Sequence, residues 1–273
     1  MLTEKDFTLK RYIQLCYAIK DNYNVLNLYE YFLDYYFDNE FDISFIEKSS
    51  KSQRRSYAII RHDVDRNINN ALLMAEAEER LGISASYYFR YPYTFNPEII
   101  RKIKKMGHEI GYHYETLSKA RGDYSLAIKL FEQELEAFRE ICDVKTICMH
   151  GKPTSSYDNR NLWNKYNFSD YGIIGEAYLS VSNVEYFSDT GRNWNGSNSL
   201  RDNLSDSIKR KDIFFPSKTD ELIDYINIGN LNNLYFTVHP ERWIDNKLGW
   251  SLSYIKDFLS GTRKKVLRSI IKY

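Results

Sequence analysis

The chain has 273 residues, 43% of them hydrophobic, and a net charge of +1. That length suits one large unit with a sizeable core, and the charge balance gives no reason to expect nucleic acid or a membrane as a partner. No run approaches the ~18 apolar residues a membrane span requires. The opening Met1-Leu2-Thr3-Glu4-Lys5-Asp6 lacks the apolar centre of an export signal, so a cytoplasmic protein without a membrane span is expected, in an oligomeric state left open.

Residues 1 to about 50 read as helical, with Phe7, Tyr12, Ile13, Leu15, Cys16 and Ile19, then Leu26, Leu28, Tyr29 and Phe32, at spacings of three and four. No linker sets them apart from the rest of the chain. Beyond them, strand and helix patterns alternate. A strand begins at Tyr57-Ala58-Ile59-Ile60, and Ile68, Ala71, Leu72 and Ala75 share a helical face closed by Gly82. Ser84 to Arg90 alternates as a strand. Asn96 and Pro97 open a helix faced by Ile99, Ile100 and Ile103, which Gly107 ends. His108 to His113 is the next strand, Asp123 caps a helix with Ala127, Leu130, Phe131, Leu135 and Phe138 inward, and Val144 to Met149 returns as a strand. Further expected elements are a helix at Asp158 to Tyr166, strands at Tyr171 to Gly175 and Val184 to Phe187, a helix at Asp220 to Ile228, and a strand at Leu234 to Val238. Asn195 to Lys218 is polar and reads as a long loop over the site or a poorly ordered surface segment. The tail, with Arg263, Lys264, Lys265 and Arg268 among Val266, Leu267, Ile270 and Ile271, reads as an amphipathic helix. Such alternation predicts an α/β fold with parallel strands, as an open sheet or a barrel, and places a site at the strands' carboxyl ends.

The polar residues fall at those ends. His62, His113, His150 and His239 each close an expected strand, and Asp63 and Asp65 stand beside the first. His108 begins its strand and reads as structural. Buried carboxylates need a counter-charge, hydrogen bonds or a metal, and imidazole with carboxylate suits zinc or a similar divalent ion. Asp189 and Arg192, three apart after another strand, either pair at a turn or orient a catalytic group. The cysteines Cys16, Cys142 and Cys148 form no Cys-x-x-Cys pair, and Cys148 reads as a buried small hydrophobe.

Five strings in this order resemble the polysaccharide deacetylase (NodB-homology) family: Arg61 to Arg66 (RHDVDR), Gly107 to Glu115 (GHEIGYHYE), Met149 to Pro153 (MHGKP), Asp189 to Trp194 (DTGRNW) and His239 to Trp243 (HPERW). The resemblance implies a distorted, incomplete (β/α) barrel. It covers roughly residues 55 to 245, the motif-bearing barrel; with the length and the missing linker, one deacetylase-like domain over 1–273 is expected, with a helical layer at 1–50 and a terminal helix at 250–273. The implied activity is metal-dependent removal of an acetyl group from an N-acetylated sugar or glycan precursor, in surface-polysaccharide or glycan metabolism, with zinc as the expected metal. By this resemblance Asp63 is the catalytic base, Asp65 and His113 are metal ligands, and His239 protonates the leaving nitrogen. Arg192 and Asp189 join the catalytic set, with Arg192 or Arg242 holding a carboxylate or an anionic substrate group. The family's second histidine ligand falls here at Leu117, which cannot bind metal. Either His150 or Glu115 replaces it, or metal binding is weak or lost. The rival readings are a glycan-binding domain without activity, and a metal-dependent hydrolase of a non-sugar amide or ester. His62 stands where the family has an aromatic residue and is expected to hold a carboxylate in place.

Overall fold

Strand β2 (Tyr57–Val64) is buried on both faces along nearly its whole length, as the central strand of a parallel sheet should be. It extends four residues past the apolar run, so Arg61, His62 and Asp63 lie inside the strand. In the computed structural model, which describes residues 5–40, 56–151, 155–196, 204, 216–229 and 232–271, seven other strands gather around it. They are β1 (Asn24–Leu26), β3 (Ser86–Phe89), β4 (Glu109–Tyr114), β5 (Thr146–Met149), β6 (Gly175–Glu176), β7 (Glu185–Ser188) and β8 (Leu234–Val238). The order is β6-β5-β4-β3-β2-β8-β7, with β1 beside the first half of β2, and every pairing is parallel.

Helices cover this sheet: α1 (Leu9–Asn22), α2 (Leu28–Glu40), α3 (Ile68–Arg80), α4 (Pro97–Lys105), α5 (Thr116–Lys119), α6 (Tyr124–Arg139), α7 (Thr219–Asn227) and α8 (Lys247–Ile271). The expected caps form. Asn96 accepts from the Ile99 amide and Asp123 from those of Ser125 and Leu126, each cap contributing roughly 1 kcal/mol.

The sheet curls until its ends approach. The Tyr235 hydroxyl on β8 donates to the Ala177 carbonyl just after β6 at 3.1 Å, and Arg61 of β2 reaches the Tyr178 hydroxyl at 2.6 Å. No ladder joins β6 to β7 among the described residues, so the result is an incomplete (β/α) barrel. Its interior is filled by large polar side chains. Gly111 on β4 is required there, because a Cβ would stand 2.2 Å from the Tyr88 ring that lies over it.

The structure departs from the sequence reading in four places. The opening layer is not all helix, since Val25 and Leu26 form β1 by pairing with Ala58 and Ile59. Tertiary pairing overrides local periodicity here. The expected helix near Asp158 is a 3-10 turn at Asn159–Asn164. The expected strand at Tyr171 to Gly175 gives way to another such turn, Phe168–Tyr171, closed by Gly172 at φ 67°, with only Gly175–Glu176 left as strand. Helix α5 is an addition that the sequence pattern does not signal. The loop at Asn195 to Lys218 and the motif residues Lys152 and Pro153 lie largely or wholly outside the described residues, as do 41–55 of the opening segment.

Candidate functional site

Because all strands run the same way, their carboxyl ends share one rim. That rim collects Asp63 at the end of β2 and Asp65 just after it, His113 at the end of β4 and Glu115 just after it, His150 after β5, Asp189 after β7 and His239 after β8. The alternation of β2 decides who faces whom. Arg61 and Asp63 point into the barrel, and His62 between them points out.

Arg61 is fully buried, an arrangement that demands compensation. Its guanidinium meets both Asp63 oxygens (Nε to Oδ1 2.9 Å, Nη2 to Oδ2 3.1 Å), donates to Tyr235 Oη at 2.8 Å, and lies 4.2 Å from the Tyr178 ring centroid. Asp63 is therefore held in one orientation. The Cys148 thiol donates to its Oδ1 at 3.7 Å, and His113 Nε2 stands 3.8 Å from its Oδ2.

His113 Nδ1 sits 3.0 Å from the Cys148 carbonyl. A carbonyl only accepts, so Nδ1 carries hydrogen and Nε2 is the free nitrogen, turned toward Asp65 Oδ1 at 3.4 Å. His150 repeats the device: Glu115 Oε2 accepts from its Nδ1 at 3.1 Å, and its Nε2 lies 3.5 Å from the same Asp65 Oδ1. Glu115 is held in turn by Arg90 at 2.7 Å. Burial raises the Glu115 carboxyl, but His150 and Arg90 outweigh it and bring the group down to about 2. Burial, aided by His113 and Arg90 against the pull of Asp65 and Glu115, holds His150 below its ordinary value. Asp65, despite burial, is kept well below the carboxylate range by His150, His113 and His239.

Asp65 Oδ1 is buried with no hydrogen-bond donor of its own. That anionic oxygen faces the Nε2 atoms of two imidazoles, a pairing of donor types that suits a divalent cation. Asp65 Oδ1 stands 3.4 Å from His113 Nε2 and 3.5 Å from His150 Nε2. Imidazoles tied back through Nδ1 to a carbonyl and a carboxylate are the usual support of such ligands. Asp65, His113 and His150 are residues that could hold a divalent ion, with Glu115 bonded behind His150. Asp63, His113 and Cys148 form a tighter trio, with ligand-type atoms within 4.8 Å of one another. There Asp63 is already paired with Arg61, so a dication would face the guanidinium.

On the far side, His239 Nδ1 donates to Asp189 Oδ1 at 2.7 Å. Asp189 is completely buried and also accepts from the His239 amide, from Arg242 and from Trp243 Nε1 at 2.9 Å. Burial and Arg242 oppose a charged imidazolium, but Asp189 and Asp65 outweigh them and raise His239 from 6.5 to about 9. The other sequence-selected residues lie elsewhere. Arg192 turns away to Asp257 Oδ2 at 2.8 Å and Ser253 Oγ at 2.7 Å on α8, so the guanidinium paired with Asp189 is that of Arg242. Leu117 is buried in the core on α5. His62 holds a carboxylate, but it is Glu78 of α3, at 2.7 Å on the outer face of the sheet.

Sequence reasoning misses Arg61, Arg90, Tyr178 and Trp243. Arg61 is findable, since residues two apart on a strand share a face, and Arg90 comes directly after a strand. Nothing local in the sequence points to Tyr178.

No family model matches the chain, and no curated protein is similar to it. Among solved structures, it is similar to a CE4-family pseudoenzyme from Bacillus anthracis, at 11% identity over 80% of this chain and 67% of that one, with a TM-score of 0.42. A mutant of that pseudoenzyme with restored enzymatic activity gives 11% identity, 81% and 70% coverage and 0.42. The peptidoglycan deacetylase PdaC from Bacillus subtilis gives 14%, 77% and 96%, and 0.37.

Proposed function

We propose that the protein is a metal-dependent hydrolase that removes the acetyl group from an N-acetylated sugar or glycan precursor, in surface-polysaccharide or glycan metabolism. The observation that supports this most is the orphaned Asp65 Oδ1 facing the free nitrogens of His113 and His150. Asp65, His113 and His150 hold the ion, zinc being the expected one, and Glu115 orients His150. Such an ion, when bound, polarises a carbonyl and acidifies water.

The chain's own residues perform the proton transfers. Asp63, fixed by Arg61, accepts the proton of the attacking water. His239 carries its Nδ1 proton on Asp189, which leaves Nε2–H to protonate the departing nitrogen as the C–N bond breaks, yielding acetate and an amine. Asp189, Arg242 and Trp243 hold that imidazole in place. Arg192 serves the fold beside α8.

The zinc-loaded protein should release acetate from N-acetylhexosamine oligomers, and Asp63→Asn and His239→Ala should each lower the rate by about 10²–10⁴-fold. Absence of stoichiometric metal together with unchanged rates in both variants would overturn the reading. One observation favours a second reading, a glycan-binding domain without activity: Leu117, at the family's ligand position, is buried in the core and supplies no donor. A calorimetric zinc titration separates the two, and a panel of non-sugar amides and esters tests the choice of substrate.

A further inference from the structure

Helix α8 is fastened to the barrel along one face. Trp250 Nε1 donates to the Asp6 carbonyl at 2.8 Å, Ser253 Oγ donates to the Glu241 carbonyl at 2.7 Å, and Asp257 accepts from Arg192 at 2.8 Å. The opposite face carries Leu248, Leu252, Ile255 and Leu259, spaced four, three and four apart and 73%, 53%, 52% and 62% exposed. That spacing makes one continuous stripe, and an exposed apolar stripe of this kind marks an interaction surface.

Charge indicates what covers it. Asp257 is the only acid in α8, and it is bound to Arg192. After it the sequence supplies Arg263, Lys264, Lys265, Arg268 and Lys272 and no acid, a local imbalance that the overall charge conceals. A second copy of α8 would bring the same cations and no uncommitted acid to meet them. An anionic lipid surface meets both demands, with acyl chains for the stripe and negative headgroups for the basic run. No helix among the described residues is long and apolar enough to cross a membrane, so the fitting geometry lies along the surface.

We propose that α8 docks the protein on an anionic membrane surface through Leu248, Leu252, Ile255 and Leu259. Its tethers, Glu241 and Arg192, come just after β8 and β7 at the rim that carries the site, so docking brings that rim beside the lipid. This inference does not depend on the reaction proposed above.

Flotation of the full chain with vesicles tests it. The protein should float with phosphatidylcholine vesicles containing about a third phosphatidylglycerol and remain behind with phosphatidylcholine alone. Salt at about 0.5 M should weaken the association. Leu252→Ser/Ile255→Ser and, separately, Lys264→Glu/Lys265→Glu should each reduce vesicle binding at least about tenfold, with the circular-dichroism melt retained. The proposal is overturned if the wild-type chain ignores anionic vesicles, or if binding persists in both variants. It is overturned equally if light scattering finds a dimer that Leu252→Ser/Ile255→Ser dissolves, because the stripe is then the seat of a second copy.

Discussion

Two buried clusters built from the same residue types lie on opposite faces of β2. On the outer face Glu78 accepts from Tyr12 and His62 through one oxygen and from Tyr87 through the other at 2.6 Å, with His108 nearby at 3.7 Å. His108 accepts from the Ala85 amide and donates to the Ala75 carbonyl. On the inner face Asp65 Oδ1 has no donor and faces two imidazole nitrogens. Both clusters unite histidine with carboxylate in the dry interior. The outer one is closed on itself, apart from His62 Nδ1, and the inner one leaves Asp65 Oδ1 without a hydrogen-bond donor. Saturation separates a structural network from a site more sharply than composition does.

The comparison breaks most decisively at Asp65. Asp65→Asn should reduce bound zinc from one equivalent to nearly none, by elemental analysis, and abolish acetate release while the fold is retained. Glu78→Gln should do the reverse. Removing one charge from the outer network should destabilise the protein by about 3–5 kcal/mol in a denaturant melt and leave zinc stoichiometry unchanged. If instead Glu78→Gln lost the metal, the two clusters would be one unit. A smaller effect is expected from Glu115→Gln, which loosens His150 without removing a ligand and should weaken zinc affinity about 10–100-fold.

The mildest test is pH. The folded pKa of His239, about 9, lies above the ordinary 6.5, so its stabilising contribution is complete below pH 6.5 and is lost as pH rises through 9. Activity that needs its proton should fall along the same alkaline limb. Asp189→Asn should move that limb to lower pH, and an unmoved limb would remove His239 from the acid role.

Much of the fold is legible in the sequence because β-like runs and helical faces alternate with clear caps such as Asn96 and Asp123. The strand ends are legible too, since a histidine that closes an apolar run is visible in one dimension. Distant partners are not. The pairing of Val25 with Ala58, the reach of Tyr178 to Arg61, and the choice of Arg242 over Arg192 for Asp189 all depend on how far the sheet curls, which no local spacing encodes. By sequence the third donor stands between His150 and Glu115. In the fold the two candidates are partners, Glu115 bonded to His150 Nδ1.

The alternation of His62 and Asp63 has a consequence for folding itself. Were β2 to pair one residue out of step, every side chain would change face. Arg61 and Asp63 would both leave the barrel for the dry layer beneath α3 that Glu78 occupies, while the His62 imidazole would enter the barrel, parted from Glu78. Both outcomes leave buried polar groups unmatched at heavy cost. The residues proposed for chemistry thus also penalise the misaligned strand, and the sheet's register is checked by the charges it exists to position.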